Sequence, residues 1–228
     1  MPKARGFREA LAATSRSHLA VIAEVKRRSP SKGDLNTDLD AGVMAAAYES
    51  SGAACVSVLT DQNFFGGSAQ DLITVSLAIR LPVLRKDFTV SVNDVCDTRL
   101  MGADCLLLIV AALDIGELRD FYSLGKELGL DILVEVHTES ELEVALEIGA
   151  DMIGVNQRNL ATFVVDTQIA AKMSAKIPSA VVKVAESGVR GAADARLLRE
   201  AGYEAVLVGE SLVVSGDVSA KMKELLVV

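Results

Sequence analysis

The amino-acid sequence predicts an α/β fold, a single (β/α)8 TIM barrel with a short N-terminal leading helix. Three observations carry that expectation. First, apolar strand-like runs alternate without a break with amphipathic stretches along the 228 residues, the pattern of parallel βα units. Second, a glycine phrase recurs: Ser-Gly-Ala at 51–53, Met-Gly-Ala-Asp at 101–104, Ile-Gly-Ala-Asp at 148–151 and Ala-Gly-Tyr-Glu at 201–204. Gly52, Gly102, Gly149 and Gly202 are therefore 50, 47 and 53 residues apart. Each follows a helical stretch and precedes an apolar run, as a glycine does when it ends a helix and feeds the next strand. Each interval holds two βα units, so the whole chain holds eight. Third, six of the apolar runs end in a charged or amide side chain, at Glu24 and Lys26, Lys86, Glu135, Asn156, Glu186 and Glu210. An open doubly wound sheet is the alternative, but its dinucleotide fingerprint G-x-G-x-x-G is absent from the chain.

The elements follow in order. Phe7, Ala10 and Leu11 recur at helical spacing, so residues 1–19 read as a short leading helix ahead of the barrel. The first strand, 20–26, is Ala-Val-Ile-Ala-Glu-Val-Lys, and a basic loop from Arg27 to Gly33 follows it before a helix at 39–51. Ala-Cys-Val-Ser-Val-Leu makes the strand 54–59, with Phe64 and Phe65 in its loop and a helix at 69–80. The strand 81–85 delivers Lys86 and is followed by Phe88 and a helix at 91–101. Further strands at 104–110, 131–136, 151–155, 181–185 and 205–209 alternate with helices at 114–128, 138–148, 167–175, 190–201 and 217–226. The domain reading is one barrel spanning 1–228.

Composition narrows the function. Half of the residues are hydrophobic, enough to bury one large core. The formal charge is −8, with no tryptophan and no basic stripe interleaved with aromatics, so a nucleic-acid partner is not expected. No apolar run approaches the roughly 20 residues of a membrane span, and Met-Pro-Lys-Ala-Arg is not followed by a hydrophobic segment. A soluble, cytoplasmic protein without a membrane partner is expected, a monomer, with a homodimer as the alternative. Cys55, Cys96 and Cys105 lack C-x-x-C spacing and read as reduced, packed thiols. With only His18 and His137 present, no metal site is expected. His18 reads as surface or linker, and His137 as a plain loop residue with a role beside Glu135 as the alternative.

Burying an unpaired charge is costly, so charges repeated at one end of successive strands need partners or a ligand. One shared site is the economical reading, and ion pairs between neighbouring strands are the other. In a barrel such a site lies at the C-terminal ends of the strands. Glu24 and Lys26 are two residues apart and share a face. Lys86 and Glu135 are separated by a single strand, close enough to divide proton donation and abstraction, or to form a structural bridge. Asn156 and Arg158 add an amide and a fork donor. The glycine-flanked turns Glu186-Ser187-Gly188 and Gly209-Glu210-Ser211, after the last two strands, can hold a phosphate on backbone N–H groups and on the N-terminus of a short helix. Closure sets the basic loop beside them. Phe64, Phe65 and Phe88 at the same mouth suit an aromatic ring, or serve as buried anchors.

The wording of these segments resembles the indole-3-glycerol-phosphate synthase family. Ile22-Ala-Glu-Val-Lys-Arg-Arg-Ser-Pro-Ser-Lys-Gly33 matches its first-strand signature. Val58-Leu-Thr-Asp61, Phe64-Phe-Gly-Gly-Ser68, Leu84-Arg-Lys-Asp-Phe88, Leu133-Val-Glu-Val-His137, Gly154-Val-Asn-Gln-Arg-Asn-Leu160 and Ala185-Glu-Ser-Gly188 continue the match in order from about residue 20. The resemblance implies conversion of 1-(2-carboxyphenylamino)-1-deoxyribulose 5-phosphate to indole-3-glycerol phosphate, with loss of carbon dioxide and water, in tryptophan biosynthesis. It implies Lys86 as general acid and Glu135 as base, with Glu24, Lys26 and Asn156 placing charge and Glu186 completing the polar mouth. Phosphate would rest on Ser29, Gly188, Gly209 and the backbone at Glu210, with Arg158 and Ser187 also on the substrate. Ser57, Phe65, Phe88, Leu107 and Leu160 would line the ring pocket. No metal or organic cofactor is implied. Two departures stand out: family members carry a longer segment before the first strand than residues 1–19, which is expected to bear on substrate access, and Gln157 is expected to be harmless. Another phosphosugar barrel enzyme and a non-catalytic phosphate-binding barrel are the alternatives.

Overall fold

A computed structural model describes residues 3–159 and 162–228. Eight parallel strands close into a barrel: Ala20–Val25, Cys55–Leu59, Val83–Lys86, Cys105–Ile109, Asp131–Val136, Met152–Asn156, Val182–Glu186 and Ala205–Val208. Each pairs with its neighbours in the chain, and the first closes onto the eighth through Ala20 opposite Ala205 and Ala23 opposite Val208. All eight expected strands are present, with ends moved by two residues at most. The helices Ala41–Ser50, Ala69–Ala78, Val92–Leu100, Ile115–Glu127, Glu139–Glu147, Gln168–Ser174, Ala192–Glu200 and Val218–Leu225 lie between and after them.

Local chemistry sets these boundaries. Asp40, Ser68, Ser91, Asp114, Thr138 and Asp217 each accept a hydrogen bond from the backbone N–H three residues on, satisfying a donor that the helix start leaves open. At the other end the recurring glycine has a positive φ in all four repeats, 97° at Gly52, 89° at Gly102, 79° at Gly149 and 89° at Gly202. In each, two N–H groups turn back onto the last helical carbonyls, as Gly52 does to Glu49 and Ala53 to Tyr48. Only glycine enters that left-handed conformation without strain, which is why the phrase recurs.

Both faces of the strands are buried, as a parallel barrel requires. Outward residues such as Val21, Val56 and Leu106 pack against the helices. Inward residues such as Ile22, Leu84, Leu107, Leu133 and Val184 fill the barrel. The leading helix spans Phe7–Thr14, and its Phe7 and Leu11 join the inner cluster with no exposed surface. They meet Ala20, Cys55 and Cys105 there, at the N-terminal ends of the strands, so this helix stoppers the barrel opposite the charged ends. Arg5 and Arg8 fasten it: Asp104 accepts from the Arg5 backbone at 2.7 Å and from its guanidinium at 2.8 Å, and Asp131 accepts from Arg8 N at 2.9 Å. Asp104 also takes the Val83 N–H, so Asp104→Ala orphans a buried donor on the third strand and part-buried donors on Arg5. It is expected to cost about 2–4 kcal/mol. Urea unfolding should show the lower midpoint with an unchanged slope, and turnover of the folded fraction should be unaltered.

Irregular elements gather at the opposite, C-terminal end. Arg28–Ser29 pairs antiparallel with Gly33–Asp34, and short helices form at Gln62–Phe65 and Glu210–Val213. Among the described residues no helix is long and apolar enough to cross a membrane.

Candidate active site

The C-terminal mouth encloses a cavity of about 600 Å³. Its floor is the layer where the inward residues change from apolar to charged. Leu59 lies opposite Lys86, Ile109 opposite Glu135, and Asn156 opposite Glu186 in the strand register. Glu24, one layer above Ile22, reaches the same level from the first strand.

Lys86 is the hub. Its Nζ is 3.2 Å from Glu135 Oε2 and 3.8 Å from Glu186 Oε2. Burial by itself would ease a proton off the ammonium, but Glu135, Glu186 and Glu24 outweigh it and hold the pKa above the ordinary lysine value. Glu135 is fully buried, and burial pushes its pKa up; Lys86, the His137 ring and the Asn156 amide overcome that and hold it well below the usual carboxylate range. Glu186 goes the other way. Burial and then the neighbouring Glu135 charge raise its pKa well above normal, only partly offset by Lys86. The trio thus carries an ammonium, a carboxylate and a carboxyl that favours its proton, an acid and a base already separated by environment.

Asn156 is locked in one orientation. Its Nδ2 donates to Glu135 Oε1 at 3.0 Å, while its Oδ1 accepts from Arg158 N at 3.0 Å and from Ser187 Oγ at 2.9 Å. Across the mouth Lys26 Nζ lies 2.6 Å from Glu24 Oε1. Two glycines make room for these carboxylates. A Cβ on Gly154 would sit 2.1 Å from Glu186 Oε1, and one on Gly209 would sit 2.4 Å from Glu24 Oε1. The backbone there must be bare.

The rim between the first, seventh and eighth strands suits an anion. Ser29 lines it, and its buried Oγ has no partner among the described residues. Gly188, at φ 81°, and Ser187, at φ 66°, turn the chain after Glu186. Gly209 and Glu210 open the short helix Glu210–Val213, whose first N–H groups have no intrahelical acceptor. Lys26, Lys32, Arg158 and Arg190 also line the cavity. Among the described residues no group of three or more His, Cys, Asp or Glu is arranged to hold a metal.

Residues 1–225 match the family model for indole-3-glycerol phosphate synthase. The indole-3-glycerol phosphate synthase of Chlorobium phaeovibrioides is 49% identical over 217 residues, covering 95% of this chain and 84% of that one. That of a Nocardioides strain is 53% identical over 199 residues, covering 87% and 76%. The chain belongs to the indole-3-glycerol phosphate synthase family. Among solved structures, a thiamine phosphate pyrophosphorylase from Pyrococcus furiosus (TM-score 0.67, 17% identity, 93% of this chain and 95% of that one) shares the fold. So does an N-acetylmannosamine-6-phosphate 2-epimerase from Clostridium perfringens (TM-score 0.68, 12% identity, 94% and 96%).

Within that family's barrel most of the expected positions meet. Glu24, Lys26, Ser29, Phe65, Lys86, Phe88, Leu107, Glu135, Asn156, Arg158, Glu186, Ser187, Gly188, Gly209 and Glu210 all line the one cavity. Ser57 does not. It is fully buried one register step below Lys86, beside Glu24 and Leu84, with its Oγ unpartnered. Leu160 lies outside the described residues. The basic loop divides: Lys26 and Lys32 reach the cavity, but Arg27 makes a two-pronged pair with Asp71 at 2.7 and 2.8 Å, and Arg28 pairs with Asp34 at 3.0 Å. Phe64 turns to solvent while Phe65 faces in, because the two follow each other on one helical turn. Gln157 is buried and donates to the Ser187 carbonyl at 2.7 Å, bracing the turn before Gly188. Phe163 and Arg190 also line the cavity and were not among the expected site residues: Phe163 lies in an aperiodic loop, and Arg190, expected at the start of a helix, lies ahead of the helix Ala192–Glu200. His137 is no plain loop residue, since it packs against Glu135. Its signal was its place two residues after a charged strand end.

Proposed function

We propose that this cavity closes the pyrrole ring of 1-(2-carboxyphenylamino)-1-deoxyribulose 5-phosphate to give indole-3-glycerol phosphate, carbon dioxide and water, with Lys86 as general acid and Glu135 as general base. The observation that carries the assignment is the Lys86–Glu135 contact at 3.2 Å on the floor of a cavity with an aromatic side and an anion-suited rim. The substrate needs each part. Its phosphate would sit on Ser29, Gly188, Gly209 and the backbone at Glu210, and its aryl ring against Phe65, Phe88 and Leu107. Lys26 and Arg158 supply positive charge for the carboxylate.

Lys86 gives a proton to the ketone oxygen as the ring carbon bearing the carboxylate attacks the carbonyl carbon. Loss of carbon dioxide returns its bonding electrons to the ring and leaves a hydroxyindoline. Lys86, reprotonated from solvent at the cavity mouth, gives a second proton that releases the hydroxyl as water, and Glu135 removes the proton whose loss restores aromaticity. Asn156 holds Glu135 in place throughout, and the Glu24–Lys26 pair sets the charge at the opposite wall. Purified protein given this substrate is expected to develop indole fluorescence in step with carbon dioxide release. Folded protein that yields neither would overturn the reading.

A further inference from the structure

Glu135 has one charged neighbour that this reaction leaves without a task. His137, just past the end of the fifth strand, sets Nε2 3.3 Å from Glu135 Oε1, off the line that a hydrogen bond needs. On its other side Nδ1 lies 3.2 Å from Glu141 Oε2, and that oxygen also accepts the His137 backbone N–H at 2.7 Å. Glu141 is itself held, on the first turn of the helix Glu139–Glu147, with its own N–H on the capping hydroxyl of Thr138. A ring nitrogen facing a carboxylate is favourable only when it carries hydrogen. Both nitrogens face one, so the geometry selects the doubly protonated ring. Burial opposes that charge, but Glu135 and Glu141 push the pKa up to about 9.

The charge matters because Glu135 does not stand alone. Glu186 lies beside it, and two buried carboxyls around one lysine cannot both ionise cheaply. Lys86 from the third strand touches both, and Glu24 from the first strand acts on Lys86 and Glu186. Asn156 from the sixth strand donates to Glu135, while Glu186 Oε1 has no partner among the described residues. Lys86, nearer to Glu135 than to Glu186, already leans that way, and His137 adds a second cation that faces Glu135.

We infer that His137 is a positioning residue: its ring, clamped by Glu141, keeps Glu135 the ionised member of the Glu135/Glu186 pair and leaves the shared proton on Glu186. This rests on reading Glu135 as the base. Ring-nitrogen NMR of labelled protein tests it directly, since His18→Gln removes the only other histidine signal. At about pH 7 both His137 nitrogens should appear protonated, with a midpoint near 9. Glu135→Gln should lower that midpoint by about one pH unit, the scale of a single close opposite charge. In kinetics, His137→Gln should move the acid limb of the kcat profile up by about one unit, and His137→Arg, which keeps a cation, should restore it. A neutral ring at about pH 7 would overturn the inference. So would a His137→Gln protein whose kcat falls equally at every pH with its limbs unmoved. Should His137→Gln fail to fold, the ring titration still decides. A Glu135→Gln protein that keeps full turnover would instead remove the base role and leave the ring titration standing, so the two failures are separable.

Discussion

Lys86→Met should lower turnover by about 10³-fold while the barrel stays folded, because the ketone and the departing hydroxyl both lose their proton source. Methionine keeps the length of the side chain and removes its charge, so the loss is chemical rather than steric. The damage extends past the acid itself. Without the ammonium, Glu135 and Glu186 face each other with less compensation, and the proton affinity of Glu135 rises toward the ordinary carboxylate range. The base is then partly protonated as well. Circular dichroism and urea unfolding should report a folded protein, because Lys86 sits at the mouth, Glu135 keeps Asn156 and the His137 ring, and Glu186 already favours its proton. A turnover within a few-fold of the unsubstituted enzyme would refute the role.

Glu135→Gln should cost about 10²–10⁴-fold in indole formation, and it should do so at a particular step. In the proposed mechanism ring closure and decarboxylation draw on Lys86, whereas the final deprotonation draws on Glu135. In a single turnover carbon dioxide should therefore appear ahead of indole fluorescence, with a hydroxyindoline accumulating between them. Simultaneous slowing of both signals would place Glu135 before decarboxylation and overturn the assignment. The amide also turns an N–H toward Lys86 or Asn156, where a carboxylate had accepted from both.

The fold was legible because it is written in repeats. Eight apolar runs, the glycine phrase and the alternation with amphipathic stretches all reflect backbone requirements that recur with each βα unit, and local sequence is enough to show them. The charged strand ends were legible for a related reason. Glu24, Lys86, Glu135, Asn156 and Glu186 interrupt otherwise apolar runs, and a buried charge always needs a cause. Positions without such contrast were not legible. Ser57 reads like any wall residue, yet the register sets it one layer too deep. Arg27 and Arg28 read like Lys26, yet Asp71, Asp34 and a short hairpin draw them away from the cavity.

By itself the sequence determined the barrel, the end of it that carries chemistry and the family to which the chain belongs, because hydrophobic period, turn glycines and contiguous motifs act over short distances along the chain. Only the tertiary structure decided how the charges are shared. Lys86, Glu135 and Glu186 come from the third, fifth and seventh strands, 49 and 51 residues apart in sequence. Their proton affinities diverge only once closure buries them within 4 Å of a common ammonium. Two glutamates with the same intrinsic acidity become a base and a proton holder there, since the field at each is set by neighbours that the chain brings from other strands.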